Sequence, residues 1–203
     1  MWLPGPLAPP ALTLLAGVLA VMVTPGVATR AAGLTVPRVP TAGEEFDRSD
    51  AYQDDVDARS TTATAIASAL SAAIATCCVP AVLWVGRAGG VWACALCLGV
   101  AGALVVYASR HHWAGPRLCL TAVALAAVVA AAAAAAQVGH PACIALACLA
   151  ALAATTTVIW APRVADLEPT TVVWFERAEI AATIAVIPLA VHLTGLFDMI
   201  RGI

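Results

Sequence analysis

The chain has 203 residues, 62% of them hydrophobic and only 11% charged, with a formal net charge of −2 and a mean hydropathy of +0.93. About a quarter of a soluble domain is charged, so this composition excludes a disordered chain, and the lack of a basic cluster excludes a nucleic-acid binder. What remains is an all-α, polytopic membrane protein, because each helical crossing takes about 20 apolar residues and leaves little chain for a soluble domain.

The first predicted span is 7–28. Gly26-Val27-Ala28 could pass as the cleavage site of a signal peptide. However, no Arg or Lys precedes the apolar run, and Pro4, Pro6, Pro9 and Pro10 are foreign to such a leader, which favours a retained helix. Residues 29–60 follow as the one long polar stretch. Pro37 and Pro40 bias Val36 and Val39 toward extended backbone, so its first part should be a stiff, non-helical strap. Its second part holds Glu44, Glu45, Asp47, Asp50, Asp54, Asp55 and Asp57. It is either a solvated linker or a docking surface for a basic partner, and it lacks the glycine and ligand spacing of a calcium loop.

The second span, 61–85, is joined to the third, 89–107, by Gly86-Arg87-Ala88-Gly89-Gly90, a tight helical hairpin. A turn over 108–116 with Arg110, His111, His112 and Trp113 leads to span four, 118–138. Gly139-His140 then turns the chain into span five, 142–160. The last span, 172–196, begins behind Leu167-Glu168-Pro169, with proline placed for a first helical turn. Glu176 and Glu179 share one face there, and Arg177 projects about 100° away. These three charges can sit at headgroup depth. Pro25, Pro80 and Pro188 should break or kink their spans. The chain thus divides into a first transmembrane helix over 1–28, a cytoplasmic Pro-rich and acidic loop over 29–60, and a five-helix transmembrane bundle over 61–203.

Arginine sets the orientation. Eight (Arg30, Arg38, Arg48, Arg59, Arg110, Arg117, Arg163 and Arg177) lie on or beside the loops after spans one, three and five, against two, Arg87 and Arg201, on the other side. Cation excess marks the cytoplasm, so both termini are expected outside. Trp84, Trp92, Trp113, Trp160 and Trp174 stand near predicted span ends, where indole prefers the interface.

Residues that usually carry chemistry are sparse. Cys77, Cys78, Cys94, Cys97, Cys119, Cys143 and Cys148 lie in or beside apolar spans and read as small apolar residues; the C-x-x-C lacks the exposed helix start of a redox motif. His111 and His112 fall on the opposite membrane face from His140, so they cannot share a metal, and His192 stands alone in the last span. No catalytic residue, metal or cofactor is assigned, and no enzyme activity is expected. Small residues are plentiful instead: Ala126, Ala130 and Ala134 recur at helical spacing, and Gly99 and Gly102 line span three, which favours close helix packing.

Two passages resemble a known family. Ala32-Gly33-Leu34-Thr35-Val36-Pro37-Arg38-Val39-Pro40-Thr41-Ala42-Gly43-Glu44 is similar to the cytoplasmic loop of the EccD family. The run Leu167-Glu168-Pro169, then Glu176-Arg177-Ala178-Glu179, Ile187-Pro188-Leu189-Ala190 and Gly195-Leu196-Phe197 looks like that family's last helix. EccD is the polytopic component of the type VII secretion system of mycobacteria and related actinobacteria, a ubiquitin-like domain followed by eleven spans. The resemblance is to its C-terminal half, six spans entered from outside, the topology that the arginines indicate. It implies a multi-pass protein of the plasma (inner) membrane, a non-catalytic scaffold or channel subunit. Its partners would be the other membrane components, the ATPase subunit, an EccD-like homodimer or complementary N-terminal half, and membrane lipids. The expected partner contacts are Pro37, Pro40, Thr41, Glu44, Glu45 and Asp47 in the loop, and Glu176, Arg177 and Glu179 on the last helix. The alternative is a small permease or half-transporter acting as a homo-oligomer, for which a membrane-embedded acidic or histidine pair would speak.

Overall fold

The computed structural model of the protein describes residues 5–34, 55–110, 113–160 and 169–201. These form α1 (Ala8–Ala31), α2 (Val56–Ala88), α3 (Val91–Arg110), α4 (Ala114–Val138), α5 (Pro141–Trp160), α6 (Pro169–Leu193) and the short α7 (Leu196–Arg201). Each predicted span is a helix, and most run beyond their apolar limits. α2 starts at Val56 rather than 61, because Asp57, Arg59 and Ser60 can stay helical in water once the apolar part is fixed. α1, α2, α3 and α4 are long and apolar enough to cross a membrane. In α5 the described apolar part, Pro141–Thr156, is shorter, and α6 carries Glu176, Arg177 and Glu179 in its first half.

Three expectations are corrected. Gly86 belongs to the last turn of α2, not to a connection, so the hairpin turn shrinks to Gly89-Gly90. Gly115 and Pro116 belong to the first turns of α4, where proline needs no backbone donor. Pro25, Pro80 and Pro188 lie inside continuous helices, so they do not break their spans, and a kink is compatible with that continuity. A helix interior survives one missing N–H when the orphaned carbonyl finds another donor. At Pro25 it does: the carbonyl freed on Val21 accepts the Tyr107 hydroxyl of α3 at 3.2 Å.

The helices assemble by close approach. Lipid is as apolar as any core, so only tighter packing favours helix–helix contact. On α1, Gly17 receives the Sγ of Cys78 from α2 where a side chain would stand. On α2, a Cβ at Gly86 would lie 2.6 Å from the Ala130 backbone of α4. On α3, Gly99 faces Val186 of α6, whose Cγ2 would lie 3.3 Å from an added Cβ, and Gly102 faces Ala182. Gly17 against Cys78 and Gly33 against Arg59 make α2 run antiparallel to α1, and the two glycine contacts of α3 make α6 antiparallel to α3. α2 and α4 are parallel, because Ser68 meets Gly115 near their starts and Gly86 meets Ala130 farther on. Gln137 of α4 donates to the Gly86 and Arg87 carbonyls at 3.5 and 3.4 Å, satisfying the end of α2.

The core at these seams is Leu14, Val82, Val85, Leu96, Val100, Leu120, Val123 and Val186, with Ala127, Ala131 and Ala134 between the helices. Large apolar side chains point outward on α1 (Leu12, Leu19, Val23) and α5 (Leu146, Leu149, Leu152), as lipid-facing surfaces do. Trp84, Trp92, Trp113 and Trp174 are exposed near helix ends, and the Trp160 side chain lies outside the described residues.

Candidate functional site

The alternating helices give the bundle two ends. One holds the close of α1, the start of α2, the α3–α4 turn and the first half of α6; the other holds Gly89-Gly90, Gly139-His140 and α7. Of the expected partner contacts, Glu176, Arg177 and Glu179 lie at the first end.

There α1 closes in a Schellman turn. Gly33 N–H donates to Arg30 and Leu34 N–H to Thr29, both at 3.0 Å, and Gly33 takes φ +70°, a conformation costly for other residues. Arg59, one turn into α2, donates from Nη1 to the Gly33 carbonyl at 2.7 Å. Its Nε donates to Asp55 Oδ2 at 2.9 Å. The exposed ion pair is worth about 0–1 kcal/mol. The guanidinium still ties the end of one helix to the beginning of the next, so both feet of the polar segment are held by one side chain. Pro37, Pro40, Thr41, Glu44, Glu45 and Asp47 stand between these feet, outside the described residues.

On α6 the charges part company. Pro169 begins the helix, as the sequence indicates. Glu179, Thr183, Val186, Ala190 and Thr194 form one buried stripe, and the contact of Val186 with Gly99 turns that stripe toward α3. Glu179 is only 6% exposed and is engaged by neighbouring groups. It stands ~15 Å along the helix from Pro169. Glu179 therefore faces the bundle interior rather than the surface. Glu176 is half-buried. Arg177 is exposed, its guanidinium 5.3 Å from the Trp174 ring, a cation–π contact worth about 0.5–1 kcal/mol at such a site. Glu179's burial had a signal in the sequence, the small and hydroxylated residues spaced behind it at helical intervals.

Chemistry elsewhere is local. Cys78, Cys94 and Cys97 are buried, and their sulfurs reach carbonyls of neighbouring helices: Thr13 at 3.9 Å, Ala131 at 3.6 Å and Val82 at 3.9 Å. They pack as small apolar residues with a weak donor. Hydroxyls such as Thr24, Ser68 and Thr121 fold back onto carbonyls one turn earlier. Among the described residues no buried polar side-chain atom lacks a partner, and no three His, Cys, Asp or Glu converge as a metal site. His192 lies against Trp92 with ring centroids 4.4 Å apart and planes tilted by 48°, and Phe197 of α7 is 6.0 Å away, so it joins an aromatic group at the opposite end.

No curated protein is significantly similar to the chain. The family description of an EccD-like transmembrane domain, by contrast, matches residues 5–203, from the turn before α1 through the tail after α7. The chain is a multi-pass membrane protein and belongs to the family of EccD-like transmembrane domains.

Proposed function

We propose that the chain is a non-catalytic scaffold or channel subunit of a type VII protein secretion complex in the plasma membrane, equivalent to the C-terminal half of EccD. The observation that carries this reading is the family match over residues 5–203. In it all six long helices span the membrane with both termini outside, and residues 29–60 and the first half of α6 face the cytoplasm. The distribution of cations supports that orientation: Arg30, Arg59, Arg117 and Arg177 sit at one end of the bundle and Arg87 at the other. The acidic segment, with Glu44, Glu45 and Asp47 behind Pro37, Pro40 and Thr41, docks a basic face of a cytoplasmic partner such as the ATPase subunit. Arg177 and Glu176 add contacts beside it, and Glu179 steadies the helix that presents them.

The test is charge reversal of the acids across 44–57 in the native host. Membrane insertion should persist, while co-purification with the ATPase and other membrane subunits falls several-fold. Undiminished co-purification would remove the docking role. A particle extracted from native membranes at the size of a small homo-oligomer, without those subunits, would remove the scaffold reading as a whole.

A further inference from the structure

We propose that the crevice between α3, α4 and α5, with Arg117 at its mouth, binds one anionic phospholipid, an acyl chain lying in the crevice and the phosphate on the guanidinium. Val105 and Ala108 of α3, Thr121, Ala124 and Leu125 of α4, and Ala154 of α5 line it. It is a shallow feature, with about 210 Å³ of space, open mouth included. The walls are apolar apart from the Thr121 hydroxyl, which already donates to the Arg117 carbonyl at 2.7 Å. Such a lining suits hydrocarbon rather than water or a polar solute.

Arg117 supplies the headgroup end. It is half-buried in the first turn of α4, and Arg117, Thr121 and Leu125 recur every four residues along one helix face. Helical side chains lean toward the N-terminus, so the guanidinium reaches from the crevice toward the headgroups, while Leu125 stands ~12 Å deeper along the axis. Trp113, just before α4, is exposed and marks the interface. Leu118 and Leu125, 71% and 42% exposed, carry the crevice outward into the lipid-facing surface.

The charge around the mouth selects an anion. Among the described residues no carboxylate pairs with Arg117, and the first turn of α4 holds no acidic residue. Arg110 closes α3 two residues past Ala108 and brings a second cation to the same end. A guanidinium binds phosphate through two parallel hydrogen bonds. A zwitterionic lipid carries its own cation beside the phosphate, so a net-anionic lipid gains most. The site requires that α3 and α4 cross the membrane, as their length and composition allow, and it does not depend on the secretion reading.

The full-length protein would be reconstituted in phosphatidylcholine vesicles with a trace of either phosphatidylglycerol or phosphatidylcholine bearing a diazirine midway along one acyl chain. After illumination, mass spectrometry locates the cross-links. The phosphatidylglycerol probe should label residues 105–108 and 121–125 ~5-fold more than the phosphatidylcholine probe, the preference that one basic residue gives an anionic lipid. Arg117→Gln should bring the two probes level, Arg117→Lys should keep most of the excess, and Arg87→Gln, at the other end, should change nothing. Three results would overturn the proposal: equal labelling by the two probes in the wild type, an excess that persists in Arg117→Gln, or an equal excess on Leu19 and Val23 of α1, which marks general enrichment around the bundle. The wild-type comparison decides even where a variant folds poorly.

Discussion

Gly86→Ala is the sharpest probe of how this bundle is held. The added carbon would lie 2.6 Å from the Cα, Cβ and carbonyl oxygen of Ala130, about 1 Å short of the ~3.5–4.0 Å at which carbon atoms pack best. Two of those obstacles belong to the α4 backbone, so no rotamer change relieves them, and α2 and α4 must part by nearly that distance. Opening such a gap forfeits a quarter to a half of the dispersion energy for the pairs affected, roughly. Val82, Val85, Ala127 and Ala131 are buried along this seam, and the Gln137 bonds to the end of α2 stretch as well. Overpacking of this kind costs up to about 3 kcal/mol. Alanine returns ~1 kcal/mol through better helix propensity, which leaves a net loss of about 2 kcal/mol, or roughly 4–8 °C in a chain of this size. Gly26→Ala is the matched control, since nothing lies within 4 Å of its added carbon, and its gain of ~1 kcal/mol in helix propensity should raise the melting temperature by about 2–4 °C. The assay is thermal unfolding in detergent at one fixed scan rate, followed by size-exclusion fluorescence. A Gly86→Ala protein as stable as wild type would refute close backbone packing as the basis of the α2–α4 seam.

Tyr107→Phe should cost about 1 kcal/mol by stranding the Val21 carbonyl. In a Pro25→Ala background the cost should largely vanish, because the substituted residue supplies the missing N–H; a double-mutant cycle in thermal unfolding checks the coupling. Arg59→Gln removes the bond between Gly33 and α2, and limited proteolysis should cut between residues 34 and 55 several-fold faster. Glu179→Gln should destabilise the detergent-solubilised protein by about 1–3 kcal/mol through its disturbed buried contacts. Glu176→Gln, at a half-buried site, should cost about 0.5 kcal/mol or less.

The helices were legible because each is a long apolar run bounded by Gly, Pro or charge. Gly139 and Pro169 stand where the sequence places a stop and a start. Which side of each helix faces inward was not legible. Where core and lipid are both apolar, the alternation that marks a buried face in water disappears. Val82 is buried and Leu83 is exposed, yet hydropathy ranks them alike. Gly86 read as a turn because glycine and arginine next to an apolar run usually mean a loop, whereas here glycine is the residue that lets α4 approach. The prolines were overread as breaks for a related reason: one lost backbone bond is small beside the packing that holds a long helix, and a partner such as Tyr107 can replace it. The loop half of the candidate site lies outside the described residues, and its reading rests on composition and resemblance. The α6 half rests on geometry, which separated Glu179 from its two neighbours.

The clamp made by Arg59 also fixes where mechanical load goes. A partner pulling on the segment between residues 34 and 55 would not peel either helix away singly, because tension at one foot is shared with the other through the Gly33–Arg59 bond. From there it passes along α1 and α2 together, across the Gly86–Ala130 contact into α4, and through the Tyr107–Val21 bond into α3. α5 and α6 lie off this path, and load reaches them only through their packing, α5 against α4 and α3 and α6 against α3 and α1.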